Sequence, residues 1–308
     1  MPDMSTDTRL KARVGALDFS TPVIGASGTF GNGVEYADFL DPACIGGFVT
    51  KSVTARATKG NPPPRIAETP AGMLNAIGLQ NEGVEYFIRE LLPPLESWPC
   101  RVIVNVAGHA EADYAEVVER LDGERRIDAM EINVSCPNVK HGGMAFGVDP
   151  CVCGTLVADL RRRTSKPMWV KLSPNVSDIA SVAKAAEASG ADALTVCNTL
   201  LGMAVDIDRR RPILANVTGG LSGPAIHPVA LRLVWQVSRA VRIPVVGAGG
   251  VASGRDAAAM MLCGASAVQV GTANFITPAA LMDVARELDG WLERQRDTAV
   301  GIVGTLQA

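Results

Sequence analysis

Residues 167–198 read PMWVKLSPNVSDIASVAKAAEASGADALTVCN: a short apolar run, a stretch of helical periodicity over 177–189, and a second apolar run. The outer runs, PMWVKL (167–172) and ALTVCN (193–198), are near-continuously apolar rather than alternating, as expected of strands covered on both faces in a parallel sheet. Strand, helix and next strand make one βα crossover. The pattern returns further along the chain. Ser189-Gly-Ala-Asp-Ala-Leu-Thr-Val196 reappears as Cys263-Gly-Ala-Ser-Ala-Val-Gln-Val270, and Lys166-Pro167 as Ile243-Pro244, an offset of about 74 to 77 residues. Two βα units fill that offset, as the rotational symmetry of a barrel allows.

Runs of the same kind stand at PVIGA (22–26), GGFVT (46–50), RVIVNV (101–106), AMEINV (129–134), IPVVGA (243–248) and AVQVGT (267–272), which brings the candidate strands to eight. Helical periodicity covers 110–121, 149–163, 227–241, 254–263 and 278–294, with shorter candidates at 33–40 and 83–92. At about 150 residues per domain, 308 residues allow two domains, but one α/β barrel takes the same length. Eight alternating units favour the barrel over a doubly wound sheet with a second domain. The expected architecture is α/β, a single (β/α)8 TIM barrel over 1–308, with 1–13 as an N-terminal extension and 295–308 as a C-terminal tail. Two long connections, 51–81 and 199–226, follow strands and should lie over the C-terminal mouth, as ligand walls or lids.

Composition narrows the function. Apolar residues make up 47% and charged residues 20%, which suits a soluble globular protein. A net charge of −3, with no basic run longer than the arginine triplets at 161–163 and 209–211, argues against nucleic acid as a partner. The seven cysteines include no C-x-x-C pair, so neither a disulfide framework nor a zinc or iron–sulfur site is indicated; no metal is expected, and the thiols point to the cytoplasm. MPDMSTDTRL lacks a signal-peptide apolar core, and no apolar stretch is long enough to span a membrane.

The residues ending the strands are Ser27, Lys51, Asn105, Asn133 with Cys136 just beyond, Lys171, Asn198, Gly249-Gly250 and Gly271-Thr272. Strand ends are often polar simply because they meet water. Two of only seven lysines, however, end apolar strands, where an ammonium needs an anion or strong acceptors to offset desolvation. An anionic ligand is one reading; a Schiff-base lysine is the other. Gly247-Ala-Gly249-Gly250-Val-Ala252 formally matches a dinucleotide fingerprint, but the next strand ends Val270-Gly271-Thr272 without the acidic residue that fingerprint requires. Glycine turns after the seventh and eighth strands suit a barrel phosphate site, with Ser253 capping the helix that follows. In the run Asn133-Val-Ser-Cys136-Pro-Asn138-Val-Lys-His141, the cysteine reads either as a small turn residue or as a reactive base or nucleophile. The three histidines have no ligand spacing, and His227 reads as structural.

Eight segments in order resemble one family: Ala26-Ser27-Gly28-Thr29, Thr50-Lys51-Ser52-Val53-Thr54, Asn75-Ala76-Ile77-Gly78-Leu79-Gln80-Asn81, Asn133-Val134-Ser135-Cys136-Pro137-Asn138, Val170-Lys171-Leu172-Ser173-Pro174, Asn198-Thr199, Gly219-Gly220-Leu221-Ser222-Gly223 and Gly247-Ala248-Gly249-Gly250. From about residue 14 to 290, the chain is similar to dihydroorotate dehydrogenases, FMN-dependent (β/α)8 barrels of pyrimidine (UMP) biosynthesis. The resemblance implies oxidation of (S)-dihydroorotate to orotate, with Cys136 as the base at C5 and hydride passing from C6 to flavin N5. It implies substrate contacts at Lys51, Asn75, Ala76, Ile77, Gly78, Leu79, Asn133, Asn138, Asn198 and Thr199. For one FMN per chain it implies Ser27, Lys51, Ser52, Asn105, Asn133, Lys171, Cys197, Gly223, Gly249, Gly250, Gly271 and Thr272, with Lys171 stabilising negative charge on the reduced flavin.

Cys136, where membrane-associated class 2 enzymes have serine, points to class 1. The Cys136–Gly143 and Pro212–Pro224 stretches resemble class 1B, whose catalytic subunit, expected as a homodimer within a heterotetramer, passes electrons to NAD+ through a partner subunit carrying FAD and a 2Fe–2S cluster. The rivals are a class 1A homodimer using fumarate, a dihydropyrimidine dehydrogenase-like flavin barrel, a phosphosugar lyase or isomerase with Lys51 or Lys171 as Schiff base, and a non-catalytic scaffold.

Overall fold

In the computed structural model, which describes residues 8–135 and 146–307, each apolar run becomes a parallel strand. The strands are β1 Val23–Gly25, β2 Gly47–Val49, β3 Arg101–Val106, β4 Ala129–Asn133, β5 Met168–Lys171, β6 Ala193–Val196, β7 Val245–Ala248 and β8 Ala265–Val270. They close a barrel in chain order, and β8 returns to β1 through Val268↔Val23. Six of the expected helices cover it: α1 Glu111–Asp122, α2 Pro150–Arg161, α3 Ile179–Ala188, α4 His227–Ser238, α5 Gly254–Leu262 and α6 Ala280–Gln295. Short polar side chains begin three of them. Asp149 accepts from the amides of Cys151 and Val152, Asp178 from those of Ala180 and Ser181, and Ser253 from that of Asp256. The (β/α)8 expectation therefore holds.

Three local expectations need correction. Over 33–40 only the 3-10 turn Val34–Tyr36 forms, preceded by Gly33 at a φ of 97°. Over 83–92 the single turn Val84–Tyr86 passes into a π turn, Phe87–Leu91, and Pro93-Pro94 follow immediately. The eighth strand spans 265–270 rather than 267–272, so Gly271 and Thr272 lie just past its end.

The barrel interior explains how the chain prepares a site. Ile24, Val49, Ile103, Ala129, Trp169, Ala193, Val246 and Ala267, one residue from each strand, form a buried apolar cluster. The N-terminal hairpin, Ala12–Val14 paired with Leu17–Phe19, adds Ala12, Val14, Leu17 and Phe19 to the same cluster, with the Phe19 and Trp169 rings 6.2 Å apart. The floor is thus closed by packing. At the other end the two long connections share a four-stranded antiparallel sheet, in the order Leu200–Gly202, Gly219–Ser222, Gly72–Asn75, Ile66–Thr69. No described helix is long and apolar enough to cross a membrane.

Candidate active site

Side chains alternate along a strand, so the residue two places beyond each floor residue points inward one level higher. On β3, β4, β5, β6 and β8 those residues are Asn105, Glu131, Lys171, Thr195 and Gln269, all buried. An apolar floor therefore carries a polar layer. Glu131 is fully buried at its centre. Its Oε1 accepts from Asn105 Nδ2 at 2.8 Å, and its Oε2 accepts from Thr195 Oγ1 and Gln269 Nε2, each at 2.7 Å. Lys171 Nζ lies 3.6 Å from Glu131 Oε1, and donates to Ser27 Oγ at 3.1 Å and to Gln269 Oε1 at 3.4 Å. Ser52 Oγ donates to Asn105 Oδ1 at 2.5 Å. Ser27, Ser52, Asn105 and Lys171 are thereby tied into one network.

A second group sits beyond it. Ser135 Oγ lies 3.0 Å from Asn133 Oδ1 and 3.2 Å from the Lys171 carbonyl, and Asn198 Nδ2 donates to Ser135 Oγ at 2.9 Å. The Tyr114 hydroxyl of α1 donates to the Asn133 carbonyl at 2.8 Å, fixing the end of β4. Thr199 follows, its amide donating to Asn198 Oδ1 at 2.8 Å. Asn75 arrives from the mouth sheet opposite Gly220 and donates weakly to its carbonyl at 3.4 Å. Gly220 is required there, since a Cβ would fall 2.0 Å from Thr199 Oγ1. The backbone of Ala76 and Ile77 is held by Asn61, whose side-chain amide donates to the Ala76 carbonyl and whose backbone amide donates to that of Ile77, both at 2.9 Å. Gly78 and Leu79 continue this wall with positive φ.

The glycine turns make a third group. Gly249 and Gly250 have φ of 123° and 73°, and a Cβ on Gly250 would lie 2.7 Å from His227 Cβ and 2.8 Å from the Gly223 carbonyl. His227 Nδ1 stands 3.0 Å from the Gly249 carbonyl, so the histidine that opens α4 braces the turn. Thr272 Oγ1 donates to Ser222 Oγ at 2.8 Å, joining the end of β8 to the mouth sheet. Gly271 has room around it, the nearest atom to a Cβ there being Ala26 Cβ at 3.5 Å.

Two strand-end residues differ in surroundings from what their position suggests. Lys51 is half-buried, and burial first, then the neighbouring Arg65, hold its pKa below the usual lysine value, with Glu35 and Glu82 opposing. Cys197 is buried, and desolvation pushes its thiol up to about 12, which leaves it inert near neutrality. Cys136 and Asn138 lie outside the described residues. Glu131, Thr195, Gln269 and Ser135 escape a reading restricted to strand ends. The signal for the first three was a charged or polar residue inside an apolar run, as in AMEINV, ALTVCN and AVQVGT, whereas Ser135 follows its run. The surface cavity of about 250 Å³ lined by Asp178, Arg232, Trp235 and Arg239, between α3 and α4, holds none of these groups.

Fold and site together define a barrel with a buried ammonium, a ring of carboxamides and glycine turns at its C-terminal mouth. A family model described as dihydroorotate dehydrogenase matches residues 9–292. Among curated relatives, the dihydroorotate dehydrogenase B (NAD(+)) catalytic subunit of Citrifermentans bemidjiense is 52% identical over 307 residues, covering 99% of each chain. That of Bacteroides thetaiotaomicron is 51% identical, covering 97% of this chain and 99% of its own. A crystal structure of DHODH from Eimeria tenella in complex with ferulenol superposes with a TM-score of 0.82 at 24% identity, covering 99% of this chain and 91% of that one, which supports the fold. The chain belongs to the dihydroorotate dehydrogenase family of oxidoreductases.

Proposed function

We propose that the chain oxidises (S)-dihydroorotate to orotate at the barrel mouth, with FMN as its bound cofactor and NAD+ as the final acceptor. One observation carries the reading: a buried ammonium, Lys171, donates to Ser27 and is tied through Glu131 to Asn105 and Ser52, close to the amides of Asn133 and Asn198. The residues present fit FMN. Gly249 and Gly250 leave no room for a side chain, and their turn, with Gly223 and Thr272 nearby and α5 following, would hold the phosphate through backbone amides, with Gly271 beside Thr272. When bound, FMN supplies the two-electron acceptor for the hydride leaving C6 of the substrate.

The chain's own residues do the rest. Asn75, Asn133, Asn138 and Asn198 present carboxamides that pair with the donor and acceptor edges of a pyrimidine. The backbone of Ala76 to Leu79 and Thr199 closes around the ring, and Lys51 offers a cation to the carboxylate. Cys136 removes the C5 proton as the C6 hydride departs, so the C5–C6 double bond forms and the thiolate becomes a thiol. The relatives' designation as a catalytic subunit, with NAD(+) in the name, supports an electron-transfer partner. The resemblance gives that partner FAD and a 2Fe–2S cluster and makes the barrels a homodimer within a heterotetramer. Such delegation suits a chain without a cluster motif.

The test is Cys136→Ser. The variant should keep its flavin and its orotate affinity while losing most turnover near neutral pH, by roughly 10²-fold or more, because serine is a far weaker base. Unchanged turnover would remove Cys136 from the chemistry.

A further inference from the structure

Nothing in the reaction proposed above uses Glu131, yet its carboxylate is the most deeply enclosed charge of the barrel mouth. It is fully buried, and removing one partner of such an ion pair strands a charge at considerable cost, so its retention asks for a reason. The geometry supplies one. Glu131 takes its short hydrogen bonds from three neutral donors, Asn105, Thr195 and Gln269, at 2.7 to 2.8 Å, while Lys171 remains 3.6 Å away. The carboxylate therefore balances the charge of the ammonium without drawing it into a direct short bond. Gln269 stands between the two charges, donating to Glu131 and accepting from Lys171. Asn105 is oriented in the same way, giving its amide hydrogens to Glu131 and turning its oxygen to Ser52. A single carboxylate thus sets the direction of two carboxamides and the electrostatic surroundings of one lysine.

From this arrangement we infer that Glu131 is a positioning residue that sets the reduction potential of the bound flavin by compensating Lys171 and holding it at a distance. The inference rests on the FMN reading, in which Lys171 faces the charge that develops on reduction. An unbalanced ammonium stabilises the reduced, anionic cofactor more strongly than a balanced one. Glu131 accordingly holds the potential down, so that the flavin releases its electrons onward instead of retaining them.

The test measures the midpoint potential of flavin in the purified holoenzyme. Glu131→Gln keeps the shape, removes the charge, and supplies one acceptor oxygen where two served three donors. The expected result is a rise of about 30 mV or more, equivalent for a two-electron couple to a tenfold shift in the ratio of affinities for reduced and oxidised flavin. Glu131→Asp should restore a potential close to that of the unmodified chain. In a Lys171→Met background, Glu131→Gln should produce a smaller shift, because only the direct field of the carboxylate remains and its hold on the lysine is gone. Gln269→Met serves if the first variant fails to fold. With the spacer gone the two charges close on each other, and the potential should fall. A potential indifferent to Glu131→Gln, a shift undiminished without Lys171, or no change in Gln269→Met overturns the inference. A chain that takes up no FMN removes the reading beneath it and the inference with it, whereas a yellow chain whose potential ignores Glu131 removes the inference alone.

Discussion

Lys51 and Lys171 both end apolar strands, yet the structure gives them different company. Lys171 is buried beside a carboxylate; Lys51 is half-buried near Arg65, and desolvation leads the causes that lower its pKa from 10.5. Because a lowered value means that the folded state releases this proton before the unfolded chain does, two consequences follow. Its contribution to stability is unfavourable at neutral pH and is relieved as pH climbs through the lowered pKa towards 10.5. Over the same window the site loses a cation, so orotate affinity should fall. Titrating orotate against the flavin spectrum should show that decline at a pH below 10.5, and Lys51→Met should bind weakly with little pH dependence. An identical decline in the variant would assign it to another group. Both lysines were visible in the sequence because lysine is scarce and each closes an apolar run. Glu131 left a local trace, a charge inside an apolar run, but its place in the site was not legible, because inward positions share a level only once β3, β4, β5, β6 and β8 are aligned by register.

At the level of elements, the glycine turn after β7 ties sequence to the proposed phosphate site most directly. Gly250 combines positive φ with backbone and side-chain neighbours inside 3 Å of a would-be Cβ, and its neighbour Gly249 is braced by His227. Gly250→Ala should therefore cost on the order of 1–3 kcal/mol in local strain, felt at the proposed phosphate site. Fluorescence titration of the flavin-free protein should show FMN affinity reduced by tenfold or more, with far-UV circular dichroism unchanged. Wild-type affinity would remove the turn from the phosphate site. Strands and the longer helices were legible to within two or three residues, since burial on both faces and a 3.6-residue period leave local traces. The mouth sheet was not legible. It joins Asn75 to Gly220 across 145 residues, and its strands are only three or four residues long.

For the molecule as a whole, the eightfold order places an apolar floor under a polar layer, and two long connections then roof that layer with a sheet of their own. Net charge says little about this architecture. At −3 overall, the chain still concentrates Lys51 and Lys171 at one end of its barrel, so the anion binding proposed above belongs to the mouth and needs no basic surface. The fold was legible because repetition of βα units leaves one way to close. The partner was legible only through family resemblance, since no motif for an interface stands in the chain. Anaerobic mixing of the purified chain with dihydroorotate tests the central claim. The flavin should bleach with the chain alone, and NAD+ should restore its colour only after the FAD and iron–sulfur subunit is added. A colourless protein that FMN cannot reconstitute, or a flavin that dihydroorotate leaves oxidised, would contradict the account.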